Sequence, residues 1–237
     1  MIETNVSSYE DVSTEYYDSV LHPTCANFRE ASKHLISEWF QRSPLIQSSV
    51  CEIGAGKSLV AELLLERQYL QNLLLVFDSS QGMLGYSKEF LDPFTRLALA
   101  EASNLPIPSE SMNLAVSSLG DPYNYSAVWN EVYRVLKPGA LWYFTTPAYD
   151  WSIAYRAQSG FFDLAAFELR DGQDALLPSF IYPRDEQLTL FENSGFLVRE
   201  YAAVTASALT SNRISPKLLL NRGPNAIIVE GYVVQKP

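Results

Sequence analysis

The sequence predicts an α/β fold built on a doubly wound sheet of seven mostly parallel strands. Short apolar runs of strand length alternate along the chain with segments whose apolar residues recur at helical spacing. That alternation is typical of parallel strands joined by crossover helices. Over 50–65 the first apolar run leads through a Gly-x-Gly turn into an apolar helix. In such sheets this strand, turn and helix often form part of a ligand-binding site. The last two runs, 196–204 and 226–234, are expected to form an antiparallel pair at the sheet edge.

Each element follows from its own local pattern. Strands are predicted at 50–53, 72–77, 94–100, 112–118, 140–146, 196–204 and 226–234. Helices are predicted at 26–40, ended before Pro44, and at 59–65, 128–137 and 183–193. The first helix belongs to an N-terminal cap or lid over 1–45. The stretch 147–182 interrupts the alternation and is rich in aromatic residues, Phe161 among them, so it is an insertion that forms a lid, a dimer contact or part of the core.

Composition and charge favour one globular domain over 1–237. The chain has 237 residues, of which 47% are hydrophobic, enough for one large core. Its formal net charge of −10 argues against binding of nucleic acid or an anionic membrane, because phosphate recognition depends on clustered Lys and Arg. It has two cysteines and no Cys-x-x-Cys string or His cluster, so neither a metal site nor a disulfide framework is expected. The sequence shows neither a signal peptide nor an apolar run of about 18 residues, and a cytoplasmic protein is expected.

The glycine turn at 54–56 is open to several interpretations. A P-loop that ends in the Gly-Lys-Ser string at 56–58 requires glycine at position 51, where this chain has Cys51. A dinucleotide fingerprint requires a third glycine at position 59, where it has Leu59. Glu52, two residues before the turn, disfavours a pyrophosphate and favours a cationic ligand. A glycine turn that binds no ligand is the simplest alternative.

The same segment resembles the first motif of the class I S-adenosylmethionine-dependent methyltransferases, a hydrophobic strand that carries an acidic residue followed by Gly-x-Gly-x-Gly. Glu52, Gly54 and Gly56 match this motif, and Ser58 stands where the third glycine usually lies. The resemblance implies a Rossmann-like methyltransferase fold with S-adenosylmethionine as cofactor. It also implies that Glu52 faces the aminoacid end of the cofactor and that the amides of the turn, that of Ala55 included, pass close to it.

Asp78 closes the second predicted strand, 24 residues after Gly54. A carboxylate at this place can accept both hydroxyl hydrogens of a ribose diol. The string Asp78-Ser79-x-x-x-Met83 also resembles the family's second motif, which implies that Ser79 and Met83 lie near the adenine. The alternatives are a Walker B acid, which the missing P-loop glycine disfavours, and a plain helix cap at Ser79 or Ser80.

Further segments complete the cofactor side of the resemblance. Glu101 and Ala102 are similar to the family's Asp-Ala segment, in which the acid and the following backbone hold the adenine amino group. Tyr17 is similar to the tyrosine of an N-terminal segment that closes over the cofactor. Ser118, at the end of the fourth strand, is expected to border the cofactor. The run 131–139 resembles the family's late helix and turn, which carries no chemistry.

The methyl acceptor is expected around the loop 120–125, where the fourth strand ends at the crevice of the sheet. Its Asp-Pro-Tyr string resembles the Asp/Asn-Pro-Pro-Tyr loop of amino-group methyltransferases, which implies catalytic roles for Asp121 and Tyr123, although a plain turn is equally compatible. His22 is the candidate base if the acceptor is a hydroxyl, with a helix cap as the alternative. The side chains expected to hold the acceptor lie in this loop and in the insertion: Tyr123, Asn124, Tyr125, Tyr149 and Trp151.

The resemblance implies an enzyme that transfers a methyl group from S-adenosylmethionine to a nitrogen or oxygen of a small-molecule acceptor by in-line displacement. The alternative is a protein that binds the cofactor without catalysis and serves as a partner, because Ser58, Glu101 and Asn113 depart from the family pattern. The third hypothesis, a nucleotide-hydrolysing enzyme, is supported by the Gly-Lys-Ser string alone. A homodimer through the insertion is a further expectation.

Overall fold

The computed structural model describes residues 6–43, 48–68, 72–160, 162–219 and 223–237. Within them the strands are β1 (Ser49–Ile53), β2 (Leu73–Asp78), β3 (Thr95–Leu99), β4 (Met112–Ser117), β5 (Leu136–Pro147), β6 (Leu164–Glu168), β7 (Asp174–Pro178), β8 (Leu197–Thr205) and β9 (Ile227–Gln235). The helices are α1 (Tyr9–Val12), α2 (Pro23–Arg42), α3 (Leu59–Glu66), α4 (Gln81–Gly85), α5 (Ser126–Val135), α6 (Tyr149–Ser159), α7 (Arg184–Asn193) and α8 (Pro216–Leu219). Two residues named above, Pro44 and Phe161, lie outside the described residues.

Seven of these strands form one sheet in the order β3-β2-β1-β4-β5-β9-β8, which confirms the predicted doubly wound fold. β1 pairs in parallel with β2 and β4, and these pair in parallel with β3 and β5. β9 runs antiparallel to both β5 and β8, so the predicted antiparallel pair is present and β8 is the edge strand. The reversal of order at β1 and β4 opens a crevice at their carboxyl ends, where ligands bind in such sheets.

Helices cover both faces of the sheet, and apolar side chains fill both layers. On one face α2 and α3 contribute Leu35, Trp39 and Leu63 to a buried cluster with strand residues. On the other face α5 and α7 contribute Val132 and Phe191. None of the helices in the described ranges is long and apolar enough to cross a membrane.

The insertion folds into a helix and a hairpin. After β5 the chain forms α6, and β6 and β7 then pair antiparallel as a separate two-stranded sheet. This hairpin contacts the N-terminal segment, because Val12 packs in one cluster with Phe167, Ala175 and Leu177. The backbone N–H of Ser7 also donates to Leu176 O at 2.8 Å. The insertion and the N-terminal segment therefore form one layer above the crevice.

The end of α5 and the start of β5 differ from their predictions. The pattern predicts a helix over 128–137 and a strand from Ala140, but α5 ends at Val135 and β5 begins at Leu136. Leu136 has an extended backbone, and its N–H still donates to Val132 O, so it closes the helix and starts the strand at once. Pro138 interrupts the pairing of β5 with β4, which shifts register between Met112 and Leu114.

Candidate cofactor and acceptor site

The turn after β1 needs glycine at two positions. Gly54 has φ +62° and Gly56 has φ +50°, a left-handed conformation that side chains with a Cβ rarely adopt. A Cβ on Gly54 would lie 2.2 Å from Tyr123 Cε1, and a Cβ on Gly56 would lie 2.2 Å from the Tyr17 hydroxyl. Two tyrosines from distant segments thus rest directly on the turn, and the glycines make room for them.

Glu52 lies beneath the turn, where it caps α3. Its fully buried carboxylate accepts from the hydroxyl of Ser58 and from the backbone N–H of Leu59 at 3.0 Å and of Val60 at 3.3 Å. Ser58 is itself the N-cap, because its Oγ accepts from Ala61 N at 2.9 Å. The serine in place of a third glycine therefore completes a cap with Glu52. Burial raises the pKa of Glu52 to about 7, against the opposing effect of these donors.

We expect Glu52 to make the stability of the protein depend on pH. Since its folded pKa of about 7 exceeds the ordinary 4.5, the folded state loses stability as pH rises through this window. Replacement by Gln keeps the shape of the side chain and removes its charge. Between pH 5 and pH 8 the free energy of unfolding of the native protein should therefore fall by about 2–3 kcal/mol more than that of the variant. Urea unfolding at pH 5 and pH 8 measures this difference. The exposed Glu192→Gln variant is the control, and parallel pH slopes for native protein and Glu52→Gln would contradict the assignment.

Asp78 organises the glycine turn from the end of β2. One of its oxygens accepts from Gly56 N at 2.8 Å, and the other accepts from Ser80 N at 2.9 Å. The Ser80 hydroxyl in turn caps α4 by accepting from Met83 N at 3.0 Å. Burial raises the pKa of Asp78, while the backbone donors lower it. A carboxylate held in this way at a strand end stands where a ribose diol can reach it.

The N-terminal residues 7–18, called the strap below, tie the two sides of the crevice together. Glu10 accepts from the Ser80 hydroxyl at 2.6 Å and from Gly82 N at 2.9 Å. Tyr17 accepts from Lys57 N at 2.7 Å and so holds an amide at the start of α3. Sequence reasoning missed Glu10, because this contact spans 70 residues and no local pattern marks it.

One large cavity of about 790 Å³ lies between the strap and the carboxyl ends of the strands. It includes most of the residues predicted to bind the cofactor: Tyr17, Gly54, Ala55, Asp78, Ser79, Met83, Glu101, Ala102 and Ser118. Its size suits a small-molecule cofactor together with a second ligand. Glu52 and Gly56 lie behind this wall, so the predicted contact of Glu52 with the aminoacid end of the cofactor stays a prediction.

The Gly-Lys-Ser string is engaged within the fold. The Lys57 ammonium pairs with Glu89 at 2.9 Å. The Ser58 hydroxyl donates to Glu52. Both groups that a P-loop aims at phosphate and magnesium therefore have other partners, which speaks against the nucleotide-hydrolase interpretation.

The remainder of the cavity, called the acceptor half below, contains a cluster of aromatic side chains together with the charged residues Arg29, Glu30 and Lys33 of α2. Other side chains that line it come from the strap, the start of α2, the loop after β4 and the end of β7, among them Tyr9, Tyr16, Cys25, Tyr123, Tyr125, Pro178 and Phe180. Two of these, Tyr123 and Tyr125, belong to the predicted acceptor residues. Tyr123 also donates to Ile53 O and packs on Gly54, so it touches both halves.

Asp121 and Asn124 lie outside the cavity wall, contrary to the expectation that they face the acceptor. Asn124 is fully buried and bonds the Phe180 carbonyl at 3.0 Å and Gln187 at 2.7 Å, because the loop needs an internal anchor against α7. Asp121 accepts from the Ser179 hydroxyl, and burial raises its pKa to about 6. Both residues hold the loop in place from behind.

His22, Tyr149 and Trp151 also lie outside the cavity wall, contrary to prediction. His22 precedes α2 as its N-cap residue and stacks on Phe167 at 4.1 Å, with its Nε2 3.7 Å from a Glu15 oxygen. Burial lowers the pKa of His22. Trp151 donates to Lys217 O at 3.0 Å and packs edge to face on Phe28. The insertion instead lines the acceptor half through Pro178 and Phe180.

Comparison with known proteins agrees with this geometry. A family model described as a methyltransferase domain matches residues 50–139. No curated protein matches the chain in sequence. A chain from the complex between the Haloferax volcanii Trm112 methyltransferase activator and a methyltransferase has a similar fold, with a TM-score of 0.70, 13% identity, and coverage of 99% of this chain and 100% of that chain.

Two further structures share the fold at low identity. An S-adenosylmethionine-dependent methyltransferase from Listeria monocytogenes has a TM-score of 0.62 and 14% identity over 86% of this chain and 99% of its own. Geranyl diphosphate C-methyltransferase from Streptomyces coelicolor A3(2) has a TM-score of 0.63 and 10% identity over 86% of this chain and 79% of its own. At such identities these likenesses show the fold, while the family match covers the glycine turn, Asp78 and Glu101.

Proposed function

Because the chain belongs to the class I S-adenosylmethionine-dependent methyltransferases, we propose that it transfers the cofactor's methyl group to a nitrogen or oxygen of a small-molecule acceptor. One observation carries this proposal. The residues of the cofactor motifs and a set of aromatic side chains line the same cavity of about 790 Å³. A donor and an acceptor held in one cavity can meet in line, and such positioning is the main requirement of the reaction.

The residues of the cofactor half suit S-adenosylmethionine. Gly54 brings the backbone of the turn to the wall without a side chain, and Asp78 places a carboxylate at the strand end. Met83 and Ala102 offer an apolar surface for a flat base, and Glu101 lies beside them in the wall. When bound, the cofactor supplies a methyl group on a positively charged sulfur. The protein binds and orients both partners and excludes water from the space between them.

We also propose that the acceptor is a small cytoplasmic molecule rather than nucleic acid or a membrane surface. The net charge of −10 supports this, because it repels phosphate-rich surfaces. Phe167 of the insertion packs against the strap within the same chain, which favours a role of the insertion as a lid over the expected homodimer contact.

Calorimetry with S-adenosylmethionine, followed by a turnover assay with a panel of small amines, phenols and carboxylates, tests the proposal. We expect micromolar cofactor binding and release of S-adenosylhomocysteine that depends on the acceptor, with mass spectrometry locating the added methyl group. The Gly56→Ala variant is the matched negative control. Absence of cofactor binding would sink the proposal, whereas binding without turnover on any member of the panel would favour the non-catalytic partner.

A further inference from the structure

Five aromatic rings, those of Tyr9, Tyr16, Tyr123, Tyr125 and Phe180, line the acceptor half of the cavity. Tyr9 and Tyr16 meet edge to face with centroids 5.8 Å apart and planes at 62°. Tyr125 and Phe180 form a second such pair at 5.8 Å and 81°. Tyr123 lies between this half and the glycine turn. Rings from the strap, the loop after β4 and the end of β7 thus surround one space.

Two buried carboxylates, Asp78 and Asp121, act electrostatically on these rings. Burial and then the carboxylate of Asp121 raise the pKa of Tyr9 well above its usual range, and Asp78 adds to this effect. Burial likewise raises the pKa of Tyr123, with further contributions from Asp78 and Asp121. Arg156 offsets part of the Asp121 charge from behind the wall, where it donates to Ser179 Oγ at 2.7 Å. The phenol groups therefore stay neutral, and their rings line the space that the acceptor would occupy.

The cations of the cavity wall are held by carboxylates of the protein. Arg29 pairs with Glu62 at 2.9 Å, and Lys33 pairs with Glu62 at 2.5 Å and Glu66 at 2.7 Å. Lys57 pairs with Glu89 at 2.9 Å, as described above. An anionic acceptor would have to break these pairs to find a counter-charge, whereas a cation is attracted by the rings and carboxylates as they stand.

Resting on the proposed function, we infer that the acceptor is an amine carried on a flat, largely apolar skeleton. Its nitrogen lone pair forms the new bond to the methyl carbon while the carbon–sulfur bond breaks and its electron pair stays on sulfur. The positive charge thereby moves from sulfur to nitrogen, and the resulting ammonium releases a proton to water. The aromatic rings that line the acceptor half stabilise the developing ammonium where it forms.

The protonation states of the wall favour an amine over a hydroxyl acceptor. A hydroxyl must give up its proton as it attacks, and burial raises the pKa of Tyr9, Tyr16 and Cys25 in the wall, so these groups hold their own protons at neutral pH. The Glu30 carboxylate in the same wall already accepts from Thr210 and Ser211. Burial raises the pKa of the Cys25 thiol to about 12. An alkyl amine binds as its ammonium at neutral pH and attacks only after it has released that proton to water, which it does far more readily than an alcohol. The rate should therefore rise with pH towards the pKa of the acceptor amine itself.

Three probes that share one flat ring test the inference: 2-phenylethylamine, 2-phenylethanol and phenylacetate. Each is titrated calorimetrically into the full chain saturated with S-adenosylhomocysteine. We expect the amine to bind about ten-fold more tightly than phenylacetate and several-fold more tightly than the alcohol. The amine alone should be methylated when S-adenosylmethionine replaces the product.

Variants of Tyr125 link this preference to the rings. Tyr125→Leu should weaken amine binding about five-fold and alcohol binding less than two-fold, whereas Tyr125→Phe keeps the ring and should leave both near the native values. Unchanged affinity for S-adenosylhomocysteine shows that the variants are folded. Tighter binding of phenylacetate or the alcohol than of the amine, or no binding of the amine at all, would overturn the inference and leave the proposed function standing. Failure of the native chain to bind the cofactor would overturn the proposed function itself.

Discussion

Replacement of Gly56 by alanine should reduce cofactor affinity on the order of 100-fold and lower the free energy of unfolding by about 2–3 kcal/mol. Gly56 has φ +50°, where a side chain costs about 1–2 kcal/mol. Its new Cβ would also lie 2.2 Å from the Tyr17 hydroxyl and displace the bond that this hydroxyl makes with Lys57 N. Calorimetry and urea unfolding measure the two effects separately.

Gly85→Ala is the matched control for this variant. Gly85 lies in α4, and a Cβ there would have no neighbour within 4 Å. Alanine at this position should leave the affinity unchanged and stabilise the helix by about 0.5–1 kcal/mol. In a Tyr17→Ala background Gly56→Ala should cause a smaller loss of unfolding free energy, because the new Cβ no longer meets the Tyr17 hydroxyl. Wild-type affinity in Gly56→Ala would show that the ligand does not approach the turn.

Asp78→Ala should weaken S-adenosylmethionine binding by about 2–3 kcal/mol, because a charged hydrogen-bond acceptor for the ribose is lost. The substitution also removes the carboxylate that accepts from Gly56 N and Ser80 N, so part of the loss of affinity comes from a less ordered glycine turn. Asp78→Asn keeps the shape and an acceptor oxygen and should bind with intermediate affinity. Calorimetric titration of the native protein, Asp78→Asn and Asp78→Ala with S-adenosylmethionine gives the order of their affinities.

The exposed Asp174→Ala variant on β7 serves as a control for loss of a negative charge and should bind normally. Thermal unfolding without cofactor reports how much of the Asp78 effect is due to the fold of the turn. An unchanged dissociation constant in Asp78→Ala would refute the ribose assignment, even if the stability falls.

Much of the cofactor half could be predicted from the sequence, because short segments determine it. Gly54 and Gly56 are marked by their spacing after an apolar strand, and Asp78 is marked by its place at the end of the next one. The topology then brings these strand ends together without further information. The predicted strands agree with the structure to within a few residues for the same reason, since apolar periodicity is local.

The acceptor half could not be predicted as well, because contacts between distant segments form it. Tyr9 and Phe180 reach the cavity through the strap and the hairpin, and neither carries a motif. Asn124 looked like a ligand residue in the sequence, and only its bond to Gln187 on α7 shows that it anchors the loop. The imidazole of His22 makes it a candidate base from the sequence, whereas its packing against Phe167 determines its position in the fold.

The strap has a consequence for the order of events in a catalytic cycle. It contacts the hairpin through Ser7, α4 through Glu10 and the glycine turn through Tyr17. Because the strap lines both halves of one cavity, breaking the same few hydrogen bonds would widen the opening for the cofactor and for the acceptor together. We therefore expect both products to leave in one gated step whose residence time sets the turnover rate.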